Sequence, residues 1–336
     1  MFRKHQGRRS TNPMFVIFRL ILSLTMFILL LAGIYSAYKH FSGVDPLKLD
    51  PQAILSNLLK AKTPRQIVGA LSSIGIKNLI PEKVTKIIPQ SNVLGQSGKV
   101  SFKFLLVADS HNDNADLRKV INQAKQNYPD LQFIIGLGDY TDVGTLDELK
   151  KAKIEFDLSG LRYFMIAGDH DLWDSRDKQK DPSANFKEVF GPLYQSFTFQ
   201  DYHFLLLDNS DNYLGLSEDQ QSWINAELDK KEGNKGLFTF IHEPLYHPSS
   251  DHFMGRVDGK LKQQAKALLF QLKAAGVKKT FSGDTHYFSE YTEPETNVAM
   301  VTVGAVTIDR NPQIPRFSVV SVFDDGSTGV EDIQIK

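Results

Sequence analysis

The sequence predicts an α/β fold in which two packed sheets are flanked by helices, preceded by one membrane-spanning helix. Three observations support this prediction. Short apolar runs of strand length recur after residue 100, amphipathic segments lie between them, and a long apolar stretch lies near the N-terminus. With 336 residues and 41% apolar content, the chain can bury one large core beside a separate N-terminal segment.

Charge and cysteine content exclude several classes of protein. The 39 lysine and arginine residues balance 39 aspartate and glutamate residues, so no global field favours nucleic acid, and no nucleic-acid-binding surface is evident. The chain contains no cysteine. This excludes disulfides, thiolate metal sites and cysteine nucleophiles, and it is compatible with either side of a membrane.

The N-terminus is predicted to form a membrane anchor. A basic segment, residues 1–13, precedes an apolar stretch at residues 14–38, and the uninterrupted part at residues 20–37 suits one crossing of roughly 20 residues. Because basic residues stay on the cytoplasmic side, we expect a single-pass plasma-membrane protein whose remaining chain is extracytoplasmic. A cleaved signal peptide is the alternative, although no good small-x-small cleavage site follows the apolar core.

Residues 39–98 are predicted to form a stalk or linker. Prolines interrupt this segment often enough to prevent one long helix and to favour short helices joined by bends. A small interaction module is the alternative. The segment contains no metal or phosphate motif, so the catalytic chemistry is predicted to belong to a domain at residues 99–336.

Within that domain, strands and helices are predicted to alternate. Apolar runs that predict strands buried on both faces lie at residues 104–108, 133–135, 163–167, 237–240 and 279–281. Helical periodicity is clear at residues 115–127 and 260–275. Ser217 and Gln220 predict a capping box that begins a further helix. Residues 196–208 predict a hairpin, and residues 298–303 and 317–323 predict late strands.

A polar motif follows each of the five buried runs. The motifs are Asp-Ser-His at 109–111, Gly-Asp-Tyr-Thr-Asp at 138–142, Gly-Asp-His-Asp at 168–171, Ile-His-Glu-Pro at 241–244 and Gly-Asp-Thr-His at 283–286. In layered α/β folds, ligands bind at the carboxyl ends of such strands. A single aspartate after a strand is more often a helix cap. Five acid and histidine motifs at successive strand ends instead indicate a two-metal phosphoesterase site.

From about residue 99 to the end, the chain resembles the calcineurin-like metallophosphoesterase superfamily, which includes purple acid phosphatases and cyclic-nucleotide phosphodiesterases. The family pattern is Asp-x-His, Gly-Asp-x-x-Asp, Gly-Asn-His-Asp/Glu, a lone His, then Gly-His-x-His. All five blocks are recognisable in that order, the third and the last each with one changed residue. The ordered set is far more specific than any single motif. The resemblance implies a four-layer αββα sandwich and a metal-dependent phosphoesterase, a hydrolase.

The resemblance also implies a set of ligands for two divalent metal ions. The first ion would be held by Asp109, His111, Asp139 and His286. The second would share Asp139 as a bridge and add Asp169, His242 and Asp284. Two ions roughly 3.5–4 Å apart can bridge an attacking hydroxide and hold the phosphate during in-line displacement.

Two catalytic residues are implied beside the metal ligands. His170 would face the leaving-group oxygen as phosphate ligand or general acid, and Asp171 would fix the orientation of its ring. Two histidines in the loop after His242, His247 and His252, are further candidates for substrate contact.

The chain departs from the family pattern at the second metal. Asp169 replaces an asparagine, and Asp284 replaces the first histidine of the last motif. Four ligating carboxylates would formally neutralise two divalent ions, whereas the family's two leave a net charge of about +2. The extra carboxylates favour hard ions, manganese or magnesium, with iron as an alternative and zinc disfavoured.

Two functions therefore remain open. The first is a membrane-anchored phosphohydrolase that cleaves phosphomonoesters or phosphodiesters, with His170 assisting the leaving group. The second is a catalytically weak module that binds metal or phosphate at the membrane. His170 favours the first, because a pure binding domain does not need a placed proton donor. The two extra carboxylates favour the second.

Overall fold

A computed structural model describes residues 98–230 and 235–336 of the chain. The membrane helix predicted at residues 14–38 lies outside these residues, and so does the predicted stalk except for its last residue. Within the two described ranges, none of the helices has both the length and the apolar content that crossing a membrane requires.

The described residues contain eleven strands, with helices between them. The strands are β1 (Val100–Val107), β2 (Leu131–Gly136), β3 (Arg162–Met165), β4 (Gln195–Phe199), β5 (Tyr202–Leu206), β6 (Gly236–Phe240), β7 (Val277–Ser282), β8 (Ser289–Thr292), β9 (Ala299–Thr302), β10 (Arg316–Phe323) and β11 (Thr328–Gln334). The α-helices are α1 (Asn114–Asn127), α2 (Leu146–Ser159), α3 (Trp173–Asp177), α4 (Ala184–Phe190), α5 (Glu218–Leu228) and α6 (Gly259–Ala274). A 3₁₀ helix, His170–Leu172, leads directly into α3.

The strands form two mixed sheets. The first sheet has the order β11-β10-β1-β2-β3, and the second has the order β4-β5-β6-β7-β9-β8. Strands β1, β2 and β3 are parallel, as are β5, β6, β7 and β9, while β10, β11, β4 and β8 pair antiparallel with their neighbours. Parallel neighbours end at the same edge of a sheet, so the loops that follow them lie side by side.

The main core lies between the two sheets and is rich in phenylalanine. Phe104 of the first sheet packs against Phe240 and Phe281 of the second, with ring centroids 6.0 and 6.2 Å apart. In β1 the neighbouring side chain, Leu105, points to the opposite face, where it joins a second core formed with α1, α2 and α4. A third core joins the second sheet to α5 and α6. The predicted arrangement of two sheets flanked by helices is therefore confirmed.

Candidate metal centre

The five predicted motifs all lie at the carboxyl ends of parallel strands. Three follow β1, β2 and β3 of the first sheet, and two follow β6 and β7 of the second. Hydrogen bonds join the two sets. The amide of Asp284 donates to Asp109 Oδ1 over 3.2 Å, and His242 Nδ1 lies 2.7 Å from the carbonyl oxygen of Leu137, to which it donates. The motifs therefore form one site where the edges of both sheets meet.

Five of the seven predicted ligands have a left-handed backbone. Their φ angles are 53° at Asp109, 39° at His111, 55° at Asp139, 63° at Asp284 and 58° at His286. This region is sparsely populated by residues other than glycine, although Asp and His enter it more readily than most. Such strain persists where the surrounding structure enforces it, and it concentrates at functional sites. Here the amide of His111 donates to the carbonyl of Asp139 over 3.1 Å, which links two of the strained loops.

The first predicted half-site is assembled in the structure. Ligand atoms of Asp109, His111 and His286 all lie within 4.8 Å of one another, and all three residues are buried. His111 Nε2 is 3.2 Å from His286 Nε2 and 3.6 Å from Asp139 Oδ2. Burial, together with the neighbouring imidazoles, lowers the pKa of His111 to about 3. The ring is therefore neutral at ordinary pH, which is the state that binds a metal.

The second predicted half-site is centred on His242. Its Nε2 atom is 3.6 Å from Asp139 Oδ1, 3.7 Å from Asp169 Oδ1 and 3.9 Å from Asp284 Oδ1. Asp139 thus presents one oxygen to His111 and the other to His242, which is the position of a bridging ligand. All seven predicted ligands are brought together, including the two that depart from the family pattern.

The buried polar atoms of the site fit a pair of cations. Asp109 Oδ2 and His242 Nε2 are buried without a hydrogen-bond partner among the described residues, a state that is costly unless a ligand satisfies them. Burial raises the pKa of Asp109 to about 7 and that of Asp139 well above its ordinary value. Positive charge placed between these carboxylates would remove that penalty, so the donor set suits metal ions.

His170 lines the cavity above the first half-site. Its Nδ1 atom lies 2.7 Å from the carbonyl oxygen of Asp142, to which it donates. Its ring stacks on Trp173 with centroids 3.8 Å apart and meets the ring of His111 edge-on at 4.7 Å. Two packed neighbours and one hydrogen bond therefore fix the ring and leave Nε2 as the nitrogen available to a substrate.

Asp171 does not orient His170, and that prediction is wrong. The carbonyl of Asp142 takes the position that Asp171 was expected to fill. Asp171 is instead fully buried and accepts hydrogen bonds from the amides of Gly168 and residues 139–141, and from the Thr141 hydroxyl. It therefore holds the loop that carries the bridging ligand, and it is not among the residues that line the cavity.

The cavity above the metal ligands, about 470 Å³ in volume, is also lined by residues that no motif predicts. Asn212 donates to Asp169 Oδ2 over 3.0 Å. The loop residue His252 has its Nδ1 atom 3.9 Å from Asp284 Oδ2, and Arg310 reaches the cavity from the loop between β9 and β10. Each comes from a loop outside the five motifs. Of the three, only His252 was a candidate from the sequence, because it is a histidine in the loop after His242.

His247, the other histidine of that loop, has a structural role. It is buried, and its Nδ1 atom accepts from the amides of Ser249 and Ser250 over 3.2 and 2.8 Å. Its Nε2 atom is 2.8 Å from Ser289 Oγ. His247 thus supports the loop that presents His252, and it is not among the residues that line the cavity.

Comparison with known proteins agrees with this geometry. The model of the calcineurin-like phosphoesterase family matches residues 102–288, slightly more than half of the chain. The chain therefore belongs to this family, and its predicted enzyme class, a metal-dependent phosphoesterase, is confirmed. A curated relative, the probable glycerophosphodiester phosphodiesterase GpdQ of Arcobacter nitrofigilis, is 33% identical over 137 residues. This match covers 39% of the chain and about half, 48%, of the relative.

Solved structures share the fold. A dimetal phosphatase from Danio rerio aligns with a TM-score of 0.53 and 16% identity, over 71% of this chain and 100% of that protein. The purple acid phosphatase PPD1 from yellow lupin aligns with a TM-score of 0.52 and 15% identity, over 71% of this chain and 52% of that protein. At these identities the likeness concerns the fold alone.

Proposed function

We propose that this chain hydrolyses phosphate esters at a centre of two divalent metal ions. The observation that carries the proposal is the convergence of six buried or half-buried ligands around a seventh, Asp139. His170 is fixed beside them. Family membership and the relative named as a phosphodiesterase support the same reaction class.

The ligands divide into two sets that share Asp139. Asp109, His111 and His286 would hold one ion, and the remaining set of Asp169, His242 and Asp284 would hold the other. The ions would supply positive charge for the phosphate and an activated water as nucleophile. Because four carboxylates formally balance two divalent ions, we expect manganese or magnesium to be preferred over zinc.

His170 would transfer the proton to the leaving group. Its Nδ1–H is committed to the Asp142 carbonyl, so a proton carried on Nε2 is the one it can deliver. Stacking on Trp173 prevents the ring from turning away from the cavity, so the proton is held at one position.

The membrane-anchored, extracytoplasmic location predicted from residues 1–38 is part of the proposal. It is supported by the basic segment before a single apolar stretch. A tethered module that binds metal or phosphate with weak catalysis is the second candidate. Asp169 and Asp284 favour it, because their added negative charge reduces attraction for an anionic ester.

Metal analysis combined with ester hydrolysis tests the proposal. The purified full-length chain is loaded with manganese, magnesium or zinc, its metal content is measured by elemental analysis, and aryl phosphate monoesters and diesters are assayed. We expect about two ions per chain and hydrolysis that is highest with manganese. A folded chain that binds two ions but hydrolyses neither class of ester would support the binding module instead.

A matched pair of variants controls this experiment. Asp139→Asn removes the shared ligand's charge and should lower metal content and reduce turnover by roughly 10²-fold or more. Asp147→Asn removes one carboxylate from a surface ion pair with Lys151 on α2, where the Asp147 side chain is 77% exposed. This second variant should retain both metals and full turnover.

A further inference from the structure

One positive charge in the cavity, that of Arg310, has no partner among the residues that the structure describes. Two arginines line the cavity, Arg256 and Arg310. Arg256 Nε donates to Asp251 Oδ1 over 2.7 Å, so its charge is compensated. Within residues 98–230 and 235–336, the guanidinium group of Arg310 forms neither an ion pair nor a hydrogen bond, and the residue is exposed. A guanidinium group presents five N–H donors in a planar fork suited to the oxygens of a phosphate.

The backbone around Arg310 is fixed by the metal ligands themselves. The amide of Thr307 donates to the carbonyl of Asp109 over 3.0 Å. His286 Nδ1 is 3.3 Å from the carbonyl oxygen of Asp309, to which it donates. Arg310 follows with a φ of 52°, in the left-handed region that arginine rarely adopts. The surrounding hydrogen bonds therefore hold the loop in a strained backbone conformation, and this fixes the backbone of Arg310 next to the ligands of the first half-site.

The low net charge of the metal site explains what a positively charged arginine would contribute there. Four carboxylates leave two divalent ions with little net positive charge to attract a phosphate. Arg310 lines the same cavity as His170 and the metal ligands Asp139 and His286. An unpaired cation at this position would restore attraction for an anion without adding a metal ligand.

We propose that Arg310 binds the phosphate group of the substrate and favours terminal, dianionic phosphate groups over diesters. This inference rests on the proposed function, because it assumes that a phosphate ester occupies the cavity. A monoester carries a second negative charge and a further free oxygen at neutral pH, so a single added cation stabilises it more than it stabilises a diester. Arg310 is thus a determinant of affinity and specificity, and the metal ligands remain those described above.

Phosphate binding measured by calorimetry tests the inference without requiring turnover. The manganese-loaded full-length chain and its Arg310→Gln, Arg310→Lys and Arg256→Gln variants are titrated with inorganic phosphate, and their metal content is measured in parallel. We expect Arg310→Gln to weaken phosphate binding roughly 10- to 100-fold at unchanged metal content, as loss of a charged hydrogen bond does. Arg310→Lys should recover part of the affinity, and Arg256→Gln should change it less than about threefold.

Kinetics then separate this inference from the proposed function. Arg310→Gln should raise KM for an aryl monoester more than for an aryl diester, with a smaller change in kcat. Phosphate affinity within about threefold of the parent chain, or an equal loss in Arg256→Gln, would overturn the role of Arg310 even if esters are hydrolysed. A parent chain that binds phosphate through Arg310 but hydrolyses no ester would refute the proposed function alone.

Discussion

Gly168 offers a direct test of the geometry around the bridging ligand. A Cβ atom built at this position would lie 2.0 Å from Asp139 Oδ1 and 2.4 Å from the Asp139 amide nitrogen. The backbone of Gly168 is not in the left-handed region, so alanine is conformationally allowed there. The substitution Gly168→Ala therefore perturbs the site by steric overlap with a single residue, Asp139, at both its carboxylate and its backbone amide.

The size of the effect follows from the distances. Ordinary contact with a Cβ atom begins at about 3.4 Å, so Asp139 Oδ1 must move by roughly 1.4 Å. Because Asp139 Oδ1 is the oxygen that faces His242, a displacement of this size removes it from its place beside that ligand. We expect metal affinity to fall by roughly 10- to 100-fold. Overpacking of the buried loop should also lower the free energy of unfolding by about 1–3 kcal/mol.

The assay is manganese titration of the purified chain, followed by thermal unfolding with and without the metal. Gly259→Ala is the matched control, because no heavy atom lies within 4 Å of its added Cβ and the residue begins helix α6. That control should leave metal affinity unchanged and stabilise the fold by up to about 1 kcal/mol. Two ions bound to Gly168→Ala with the parent affinity would refute the placement of Asp139 as the shared ligand.

Three further predictions follow from the site and the N-terminus. His170→Ala should keep both metals and lower turnover by roughly 10²–10⁴-fold, with a smaller loss for esters that have good leaving groups; an equal loss across a leaving-group series would contradict a proton-donor role. Asp284→His should shift metal preference towards zinc and strengthen inhibition by phosphate, and if neither changes, Asp284 is not a metal ligand. Protease added to cells with a permeable outer barrier should release a soluble fragment cut within residues 39–98, whereas full protection would reverse the predicted orientation.

The ligands could be predicted from the sequence because each follows a local signal. A buried apolar run ends, and an acid or a histidine stands at its carboxyl end, so position along the chain determines position in the site. Asn212 and Arg310 lack such a signal. Asn212 reaches Asp169 across 43 residues of chain. Arg310 is positioned by two hydrogen bonds of its loop neighbours: the Thr307 amide donates to the Asp109 carbonyl, and the Asp309 carbonyl accepts from His286. Contacts of this kind depend on how loops pack in the folded protein, so they produce no periodic pattern in the sequence.

The role of Asp171 shows where adjacency in sequence misleads. Asp171 follows His170 directly, but the 3₁₀ turn at His170–Leu172 directs the two side chains to different partners. Asp171 turns inward to the amides of the loop after β2, while the His170 ring meets the carbonyl of Asp142 on that same loop. The His170 ring and the Asp171 carboxylate thus both bind the loop after β2 and do not bind each other, which the sequence alone does not reveal.

Helix capping gives a similar lesson. The capping box predicted at Ser217 is only half formed, because the Gln220 side chain bonds to the backbone of Asp208 and not to its own N-cap. A complete capping box occurs at Thr145 and Glu148, at the start of α2, a helix that is not among those predicted from the sequence. Local rules therefore identified what a side chain can do, and tertiary contacts decided which option was used.

The two departures from the family pattern form one coupled change around His242. Asp169 and Asp284 both approach its Nε2 atom, so the second half-site has one imidazole among carboxylates, whereas the first has two imidazoles. Each added carboxylate also has its own partner from a loop outside the motifs. Asn212 donates to Asp169, and His252 lies beside Asp284. A half-site that had merely lost a ligand would leave these carboxylates unsupported. The second half-site is instead built as a complete acidic unit, which supports the proposed two-metal centre with hard ions over the alternative binding module.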